Sequence, residues 1–282
     1  MATGVTMQTL SGRRDAIKYI ASYSLLTLTP SVFAQKSGLD TRYEAWDALL
    51  RRHVRWLPGD KQSRVDYRGL QTERGALKAV LTEWSALSAT QFAALPRAEQ
   101  MVFLINAYNG FTLELVLGKY PDLKSIKDLG SFVQSAWKRK FFSLLGEERH
   151  LDWIEHEQLR PRYAEPRVHT ALNCASLGCP ALRPEAFTAA KLEAQLEDGM
   201  ARFVGDSTRN RMQGGKLQVS SIFKWFHEDF EKGNAGFKRV EDVFARYADQ
   251  ISTDPTERAS LKAGIVPITY LEYDWALNDL GR

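Results

Sequence analysis

The chain has 282 residues, enough for one large domain with a hydrophobic core, and its formal net charge is only +4. No run of lysine or arginine forms a basic stripe, so the composition gives no support to a nucleic-acid partner. Beyond the N-terminal segment, no stretch reaches the roughly 18 apolar residues that a membrane-spanning helix needs. We therefore expect no nucleic-acid partner and no transmembrane helix in the mature chain.

The first residues have the pattern of an export signal. Arg13 and Arg14 come before a mildly apolar run over residues 19–33, and Ala34 follows this run as the expected cleavage site. A basic region, an apolar region and a small-residue cleavage site are typical of a secretory peptide, and the paired arginines favour the twin-arginine route. An ordinary secretory signal or an uncleaved anchor is the alternative.

The sequence thus predicts a signal peptide over residues 1–34 and a single globular domain over residues 35–282. Because the signal carries three basic residues and one acidic residue, the remaining domain has a formal net charge of +2. We expect this domain to be periplasmic or secreted.

The first half of the domain has mainly helical patterns. The strongest begins at Pro96 and ends at Gly118, and it is apolar nearly all round, which is typical of a helix buried in the middle of a domain. The elements expected before it are helices over 43–56, 75–87 and 90–95 and a short strand over 65–67.

The second half mixes short strands with helices. Its expected elements are a β-hairpin over 141–153, helices over 154–160, 184–203, 221–230, 240–248 and 257–263, and strands over 216–219 and 266–273. Strands and helices do not alternate as in βαβ units. The predicted fold class is therefore α+β, a mainly helical single domain with a β-hairpin and short strands.

Both cysteines of the chain lie in the segment 166–180. In an exported protein, a disulfide between Cys174 and Cys179 is the default interpretation. The alternative is that His169 and Arg167 lower a thiol pKa and make Cys174 a nucleophile. Five residues of a regular helix turn through about 140°, so His169 needs a bend in the chain to face Cys174.

Asn106 and Asn109 share one face of the buried helix, where each amide must be hydrogen-bonded. They are two structural core asparagines, or they hold the backbone of the cysteine segment, or they donate to a developing oxyanion. His156 is a second candidate base, although a solvated helix position is the alternative. In the C-terminal tail, Asp274 is a candidate for orienting a histidine or capping a turn, and Asn278 for satisfying a loop carbonyl.

Histidine and cysteine side chains also raise the question of a metal. His156, His169, Cys174 and Cys179 offer nitrogen and sulfur atoms for zinc, but no two of them have the two-residue spacing of a tight ligand pair. We therefore predict neither a metal nor another cofactor.

Six blocks of residues, in this order, resemble the domain of unknown function 547 family over roughly residues 67–278. The blocks are Asn106-Ala-Tyr-Asn109, Trp137-Lys138, Ile154-Glu-His156 with Leu159-Arg160, residues 166–180, Ser221 to Trp225 with Asp229-Phe230, and Tyr273 to Asn278.

The resemblance indicates which positions carry the family's motifs, but it implies no activity. Relatives also occur inside plant cells, where a permanent disulfide is disfavoured, and this weakens a purely structural bridge between the two cysteines. The motif positions here are Asn106, Asn109, His156, Arg160, Arg167, His169, Asn173, Cys174, Ser176, Cys179, Asp274 and Asn278.

Three functional hypotheses follow. The first is a cysteine hydrolase or acyl transferase with Cys174 as nucleophile, His169 or His156 as base, and Asn106 or Asn109 polarising a carbonyl group. The second is a non-catalytic module that binds a small molecule or a peptide. The third is a metal-binding or thiol redox protein, although a five-residue spacing is wide for a redox pair.

Overall fold

The computed structural model describes residues 39–131 and 134–281, and the predicted signal peptide lies outside these ranges. Within them the chain forms twelve α-helices and seven short β-strands. The strands make two two-stranded antiparallel sheets and one three-stranded sheet. This mostly helical α+β fold confirms the predicted fold class.

Helix α5, Arg97–Leu117, lies at the centre of the larger hydrophobic core and is buried along nearly its whole length, as predicted. Helix α3, Arg74–Ser85, packs against it at Gly110. A Cβ atom there would lie 2.8 Å from the Trp84 ring, so glycine permits the close approach. The other elements before α5 are α1 (Glu44–His53), β1 (Val54–Trp56), β2 (Ser63–Val65), α2 (Tyr67–Thr72) and α4 (Ala89–Ala93).

The predicted first helix, 43–56, is too long. Val54 leaves α1 and begins β1, which pairs with β2 across a turn in which Gly59 and Asp60 have positive φ. The β-branched side chain of Val54 is buried in this strand pairing, so tertiary packing overrides the helical spacing.

The middle of the chain contains the predicted hairpin, formed by β3 (Phe142–Leu144) and β4 (Glu147–Arg149). A π-helical segment, Trp153–Leu159, follows and continues as α6, Arg160–Tyr163. The predicted helix 184–203 is wrong in its first half, because α7 spans only Leu192–Val204. Phe187 lies outside it, and its backbone N–H and carbonyl bond the amide of Asn106 at 3.1 and 2.9 Å.

The C-terminal part surrounds a second hydrophobic cluster, which includes Phe203, Phe223 and Phe244. The predicted helix 221–230 is divided at Phe226 into two short helices. No helix within residues 39–131 and 134–281 is long and apolar enough to cross a membrane. The remaining elements are β5 (Arg211–Gln213), β6 (Lys216–Val219), α8 (Ile222–Trp225), α9 (His227–Glu231), α10 (Val240–Arg246), α11 (Ala248–Ile251), α12 (Pro255–Lys262) and β7 (Ile268–Tyr270).

Candidate functional site

Both cysteines lie on a loop, residues 171–180, which we call the thiol loop. It follows a short 3₁₀ helix, Pro166–Thr170, that carries His169. Ala175, directly after Cys174, has a φ of +63°, which costs a non-glycine residue about 1–3 kcal/mol. The 3₁₀ helix ends at Thr170, and residues 171–174 are not helical, so His169 and Cys174 do not lie on one regular helix and both can face one space.

Two buried asparagines hold the backbone of the thiol loop. Asn109 on α5 donates to the carbonyl of Ala171 at 2.9 Å and accepts from the N–H of Asn173 at 2.8 Å. Asn173 in turn accepts from the N–H of Ala175 and donates to the carbonyl of Pro180, at 2.9 and 2.8 Å. Holding the loop is one of the roles that the sequence left open for Asn109.

The C-terminal tail holds the same loop from another direction. The backbone N–H of Asn278 donates to the carbonyl of Ala175 at 3.0 Å, and its side-chain amide donates to Asn173 at 3.2 Å. Its amide oxygen accepts from the Tyr67 hydroxyl at 2.7 Å. The strained conformation at Ala175 is therefore fixed by buried hydrogen bonds on several sides.

Both thiols are free; Cys174 is half-buried and Cys179 is buried. The Cys174 sulfur lies 3.1 Å from the hydroxyl oxygen of Tyr273 and 3.4 Å from that of Ser176. The backbone N–H of Cys174 donates to the sulfur of Cys179 at 2.8 Å. The two sulfurs thus share one small polar environment without forming a bridge.

These contacts separate the acidities of the two thiols. Burial by itself raises the pKa of Cys174, but hydrogen bonds from Cys179, Ser176 and Tyr273 outweigh burial and lower this pKa from 9.0 to about 7. Burial raises the pKa of Cys179 well above its ordinary value, so Cys179 keeps its proton. Burial and the nearby Cys174 also raise the pKa of Tyr273, whose hydroxyl therefore acts as a donor to the thiolate.

His169 is stacked on Phe226, with ring centroids 3.9 Å apart, and its side chain is only 1 % exposed. Its Nε2 lies 2.9 Å from a carboxylate oxygen of Asp229, so Nε2 carries the hydrogen. Its Nδ1 lies 3.7 Å from Glu155 and has no hydrogen-bond partner. Nδ1 is therefore the nitrogen available for proton transfer.

Asp229 connects this imidazole to a second one. Arg160 donates to Asp229 at 2.5 Å and to Nδ1 of His156 at 2.8 Å, so Nδ1 of His156 accepts a hydrogen bond. Burial opposes the charge on Asp229, but hydrogen bonds from His169, Arg160 and Lys232 outweigh it and lower the pKa of this carboxyl below its ordinary value. The carboxylate is therefore ionised at neutral pH.

Cys174, His169 and His156 line one cavity of about 160 Å³. Cys179 lines it as well, and so do two further acidic side chains and a group of aromatic rings. Those residues are Asp152, Glu155, Tyr108, Trp137, Trp225, Phe226, Tyr273 and Trp275. The structure therefore brings the predicted nucleophile and both predicted bases to one cavity.

Two of the candidate residues point elsewhere. Asn106 accepts from the Trp46 indole at 3.2 Å in addition to its two bonds with Phe187, and it does not line the cavity. The expectation that Asn106 polarises a substrate carbonyl is therefore wrong: its amide is fully engaged in tying α1 and the chain before α7 to α5. Arg167 is turned toward Glu165 and Glu193, at 2.7 Å from each, and not toward the thiols.

Asp274 caps a turn, one of its two predicted roles. Its carboxylate accepts from the N–H of Ala276 at 2.9 Å, and its carbonyl accepts from the N–H of Gly178 at 2.8 Å. No histidine contact to Asp274 is present among the described residues' hydrogen bonds and ion pairs. The C-terminal tail therefore also holds the end of the thiol loop, at Gly178.

Sequence reasoning missed Asp229, Glu155 and Tyr273 as site residues. All three lie in the six blocks that resemble the family, but none of them is among the motif positions named from that resemblance. A further signal was the position of Asp229 beside Phe230, since a carboxylate next to a buried ring needs a partner.

The described ranges contain no group of three or more histidine, cysteine, aspartate or glutamate side chains placed to hold a metal ion. Residues 92–204 match the protein family described as "Protein of unknown function, DUF547". This match confirms the resemblance seen in the sequence and includes both cysteines, His156 and His169; it does not reach Asp229 or Tyr273. Comparisons with curated proteins and with solved structures gave no match.

Proposed function

We propose that this protein is an exported enzyme that uses Cys174 as a nucleophile on an acyl carbon, as a cysteine hydrolase or acyl transferase. The observation that carries the proposal is a free, half-buried Cys174 thiol that shares a cavity with the His169–Asp229 pair. The signal-peptide pattern of residues 1–34 supports a site of action outside the cytoplasm.

In the first step the thiol proton of Cys174 passes to Nδ1 of His169, and the sulfur forms a bond to the carbonyl carbon. The bond from that carbon to the leaving group breaks, and the leaving group takes the proton from His169. Water then adds to the thioester and gives a proton to His169. The C–S bond then breaks, the acid leaves, and the sulfur takes the proton from His169; an alcohol or amine in place of water gives transfer.

Several residues support this chemistry without reacting. Tyr273 donates a hydrogen bond to the thiolate, the Ser176 hydroxyl oxygen lies 3.4 Å from the same sulfur, and Asp229 holds the hydrogen of His169 on Nε2. Arg160 and His156 are positioning residues for Asp229. Asn109, Asn173 and Asn278 are positioning residues for the thiol loop.

The test uses the purified chain and p-nitrophenyl acetate, an activated ester of no particular biological origin. Intact mass spectrometry after brief mixing should show one acetyl group, and peptide mapping should place it on Cys174. Cys174→Ala should lose the adduct, whereas the matched Cys179→Ala variant should keep it. Acetylation that is equal in both variants contradicts the proposal.

The second candidate function is a non-catalytic module that binds a small molecule. The aromatic wall of Trp137, Trp225 and Trp275 favours it, since such rings bind ligands without any reaction. In that case no acetyl adduct forms on Cys174. A thiol redox role is the third candidate, favoured by the contact between Cys179 and the Cys174 backbone, and reversible loss of both thiols under mild oxidation tests it.

A further inference from the structure

We propose that the cavity beside Cys174 binds an alkylamine in its ammonium form, and that it is the leaving-amine site for an amide substrate. This inference deepens the proposed function and rests on it for the identity of the substrate. The binding of the amine itself needs no reaction, so it is measurable separately.

The aromatic wall is the first observation. The ring of Trp275 lies 5.8 Å from Trp137, 5.7 Å from Trp225 and 4.5 Å from Tyr273, measured between centroids. A cation over the face of such a ring gains about 0.5–2 kcal/mol. The ammonium group of Lys127 already lies 5.0 Å from the centroid of Trp275, so this ring has a cation partner within the protein.

The charges in the cavity are the second observation. Its acidic lining residues are Asp152 and Glu155, and none of the described residues that line it is a lysine or arginine. Asp229 does not add to this charge, because Arg160 and Lys232 both pair with it. The lining residues therefore supply two carboxylates and no lysine or arginine; the positive side chains next to the wall, Lys127 over Trp275 and Arg160 over Phe226, lie outside the lining.

The two carboxylates differ in how far the protein compensates their negative charge. Burial raises the pKa of Asp152, which means that its negative charge lacks full compensation within the protein. Burial opposes the charge on Glu155, but His169, whose Nδ1 lies 3.7 Å away, together with His156 and Arg160 outweighs it and lowers the pKa of this carboxyl, so Glu155 is ionised. An ammonium group near these two side chains would bring hydrogen-bond donors as well as an opposite charge.

Nδ1 of His169 is the third and independent observation. It is a buried polar atom with no hydrogen-bond partner, on a cavity-lining side chain that is 1 % exposed. In the proposed cycle, breakage of the amide C–N bond leaves a nitrogen that takes the proton from this atom. The amine then takes a second proton from solvent and becomes the ammonium ion that Asp152 and Glu155 attract.

The experiment measures binding in the full chain with Cys174→Ser, so that no acyl chemistry interferes. The probes are n-butylamine, 1-butanol and butyrate, which have similar size but carry positive, zero and negative charge at neutral pH. Tryptophan fluorescence reports binding, because three tryptophans line the cavity. We expect n-butylamine to bind at least about tenfold more tightly than 1-butanol, and butyrate to bind most weakly.

Asp152→Asn should reduce the preference for n-butylamine over 1-butanol severalfold. Glu148→Gln, an exposed carboxylate on β4, is the matched control and should leave the preference unchanged. Equal binding of amine and alcohol, or no saturable amine binding, overturns the inference even where Cys174 is acetylated. Selective amine binding without acetylation of Cys174 supports the amine site and contradicts only the catalytic proposal.

Discussion

The two sides of the cavity are held by different kinds of interaction. The thiol side depends on neutral hydrogen bonds, in which Asn109, Asn173 and Asn278 fix the loop and Tyr273 contacts the sulfur. The imidazole side depends on charge, with Asp229 at the centre of ion pairs. Neutral amides keep their hydrogen bonds over a wide pH range, whereas ion pairs do not. The position of the nucleophile, Cys174, should therefore depend less on pH and salt than the position of the base, His169.

The largest expected effect on stability comes from breaking the network of neutral hydrogen bonds around the thiol loop. Asn109→Ala leaves the carbonyl of Ala171 and the N–H of Asn173 buried without partners, at about 1–3 kcal/mol each. We expect the free energy of unfolding to fall by about 3 kcal/mol, measured by urea denaturation. Gln71→Ala, on the exposed face of α2, is the control and should change it by less than about 0.5 kcal/mol.

Asp229→Asn tests the charged side. The variant should lose about 2 kcal/mol of stability at neutral pH, because three cationic or imidazole partners lose their carboxylate. Since the pKa of Asp229 is lowered in the folded chain, its contribution is present above its unfolded pKa of about 4 and is lost as pH falls below that value. The wild type and the variant should therefore converge in stability toward acidic pH. Parallel curves across this range would show that the charge of Asp229 does not stabilise the fold.

The same variant also separates the two sides functionally. At pH 8, iodoacetamide should alkylate Cys174 in the Asp229→Asn variant at nearly the wild-type rate, because the groups that contact this sulfur are neutral hydroxyls. Its turnover of p-nitrophenyl acetate should fall much further, since His169 loses its partner. If the alkylation rate and the turnover fall together, the reactivity of Cys174 depends on Asp229, and the two sides of the cavity are not independent.

Tyr273→Phe removes one donor from the thiolate. The pKa of Cys174 should rise from about 7, and alkylation by iodoacetamide at pH 7 should slow by about 3- to 10-fold. The rate at pH 9, where the thiol is ionised in both forms, should change little. A uniform decrease at every pH would indicate a change of access to the sulfur instead.

The smallest effect on stability is expected at the cavity mouth. Trp225 is 46 % exposed, so Trp225→Ala should lower the free energy of unfolding by less than about 1 kcal/mol. Binding of n-butylamine should weaken severalfold, because the variant loses one ring of the wall. Unchanged amine binding together with unchanged stability would remove Trp225 from the site.

Much of the fold was predictable from local signals. The nearly all-apolar pattern between Pro96 and Gly118 predicted the central helix, and the strand patterns over residues 141–153 predicted the hairpin. The errors lie where tertiary contacts override spacing. Asn106 holds Phe187 outside α7, and Val54 leaves a helical pattern to pair in a strand. Neither contact is visible in the local sequence.

The site was predictable on its thiol side and only partly on its imidazole side. Both cysteines and His169 lie within eleven residues of one another, so their clustering marked the loop. Asp229 and Tyr273 come from segments 60 and 99 residues away from His169 and Cys174, and no periodicity joins them. Arg167 was misleading, because nearness in the chain does not decide which way a side chain points.

The most direct test of the central claim is the pH dependence of alkylation at each cysteine. The folded chain, treated with iodoacetamide between pH 5 and pH 10 and mapped by mass spectrometry, should show Cys174 reacting with a midpoint near pH 7. Cys179 should stay unmodified until the chain is unfolded. A Cys174 midpoint near 9, or equal labelling of the two thiols, would contradict the account of Cys174 as a stabilised nucleophile.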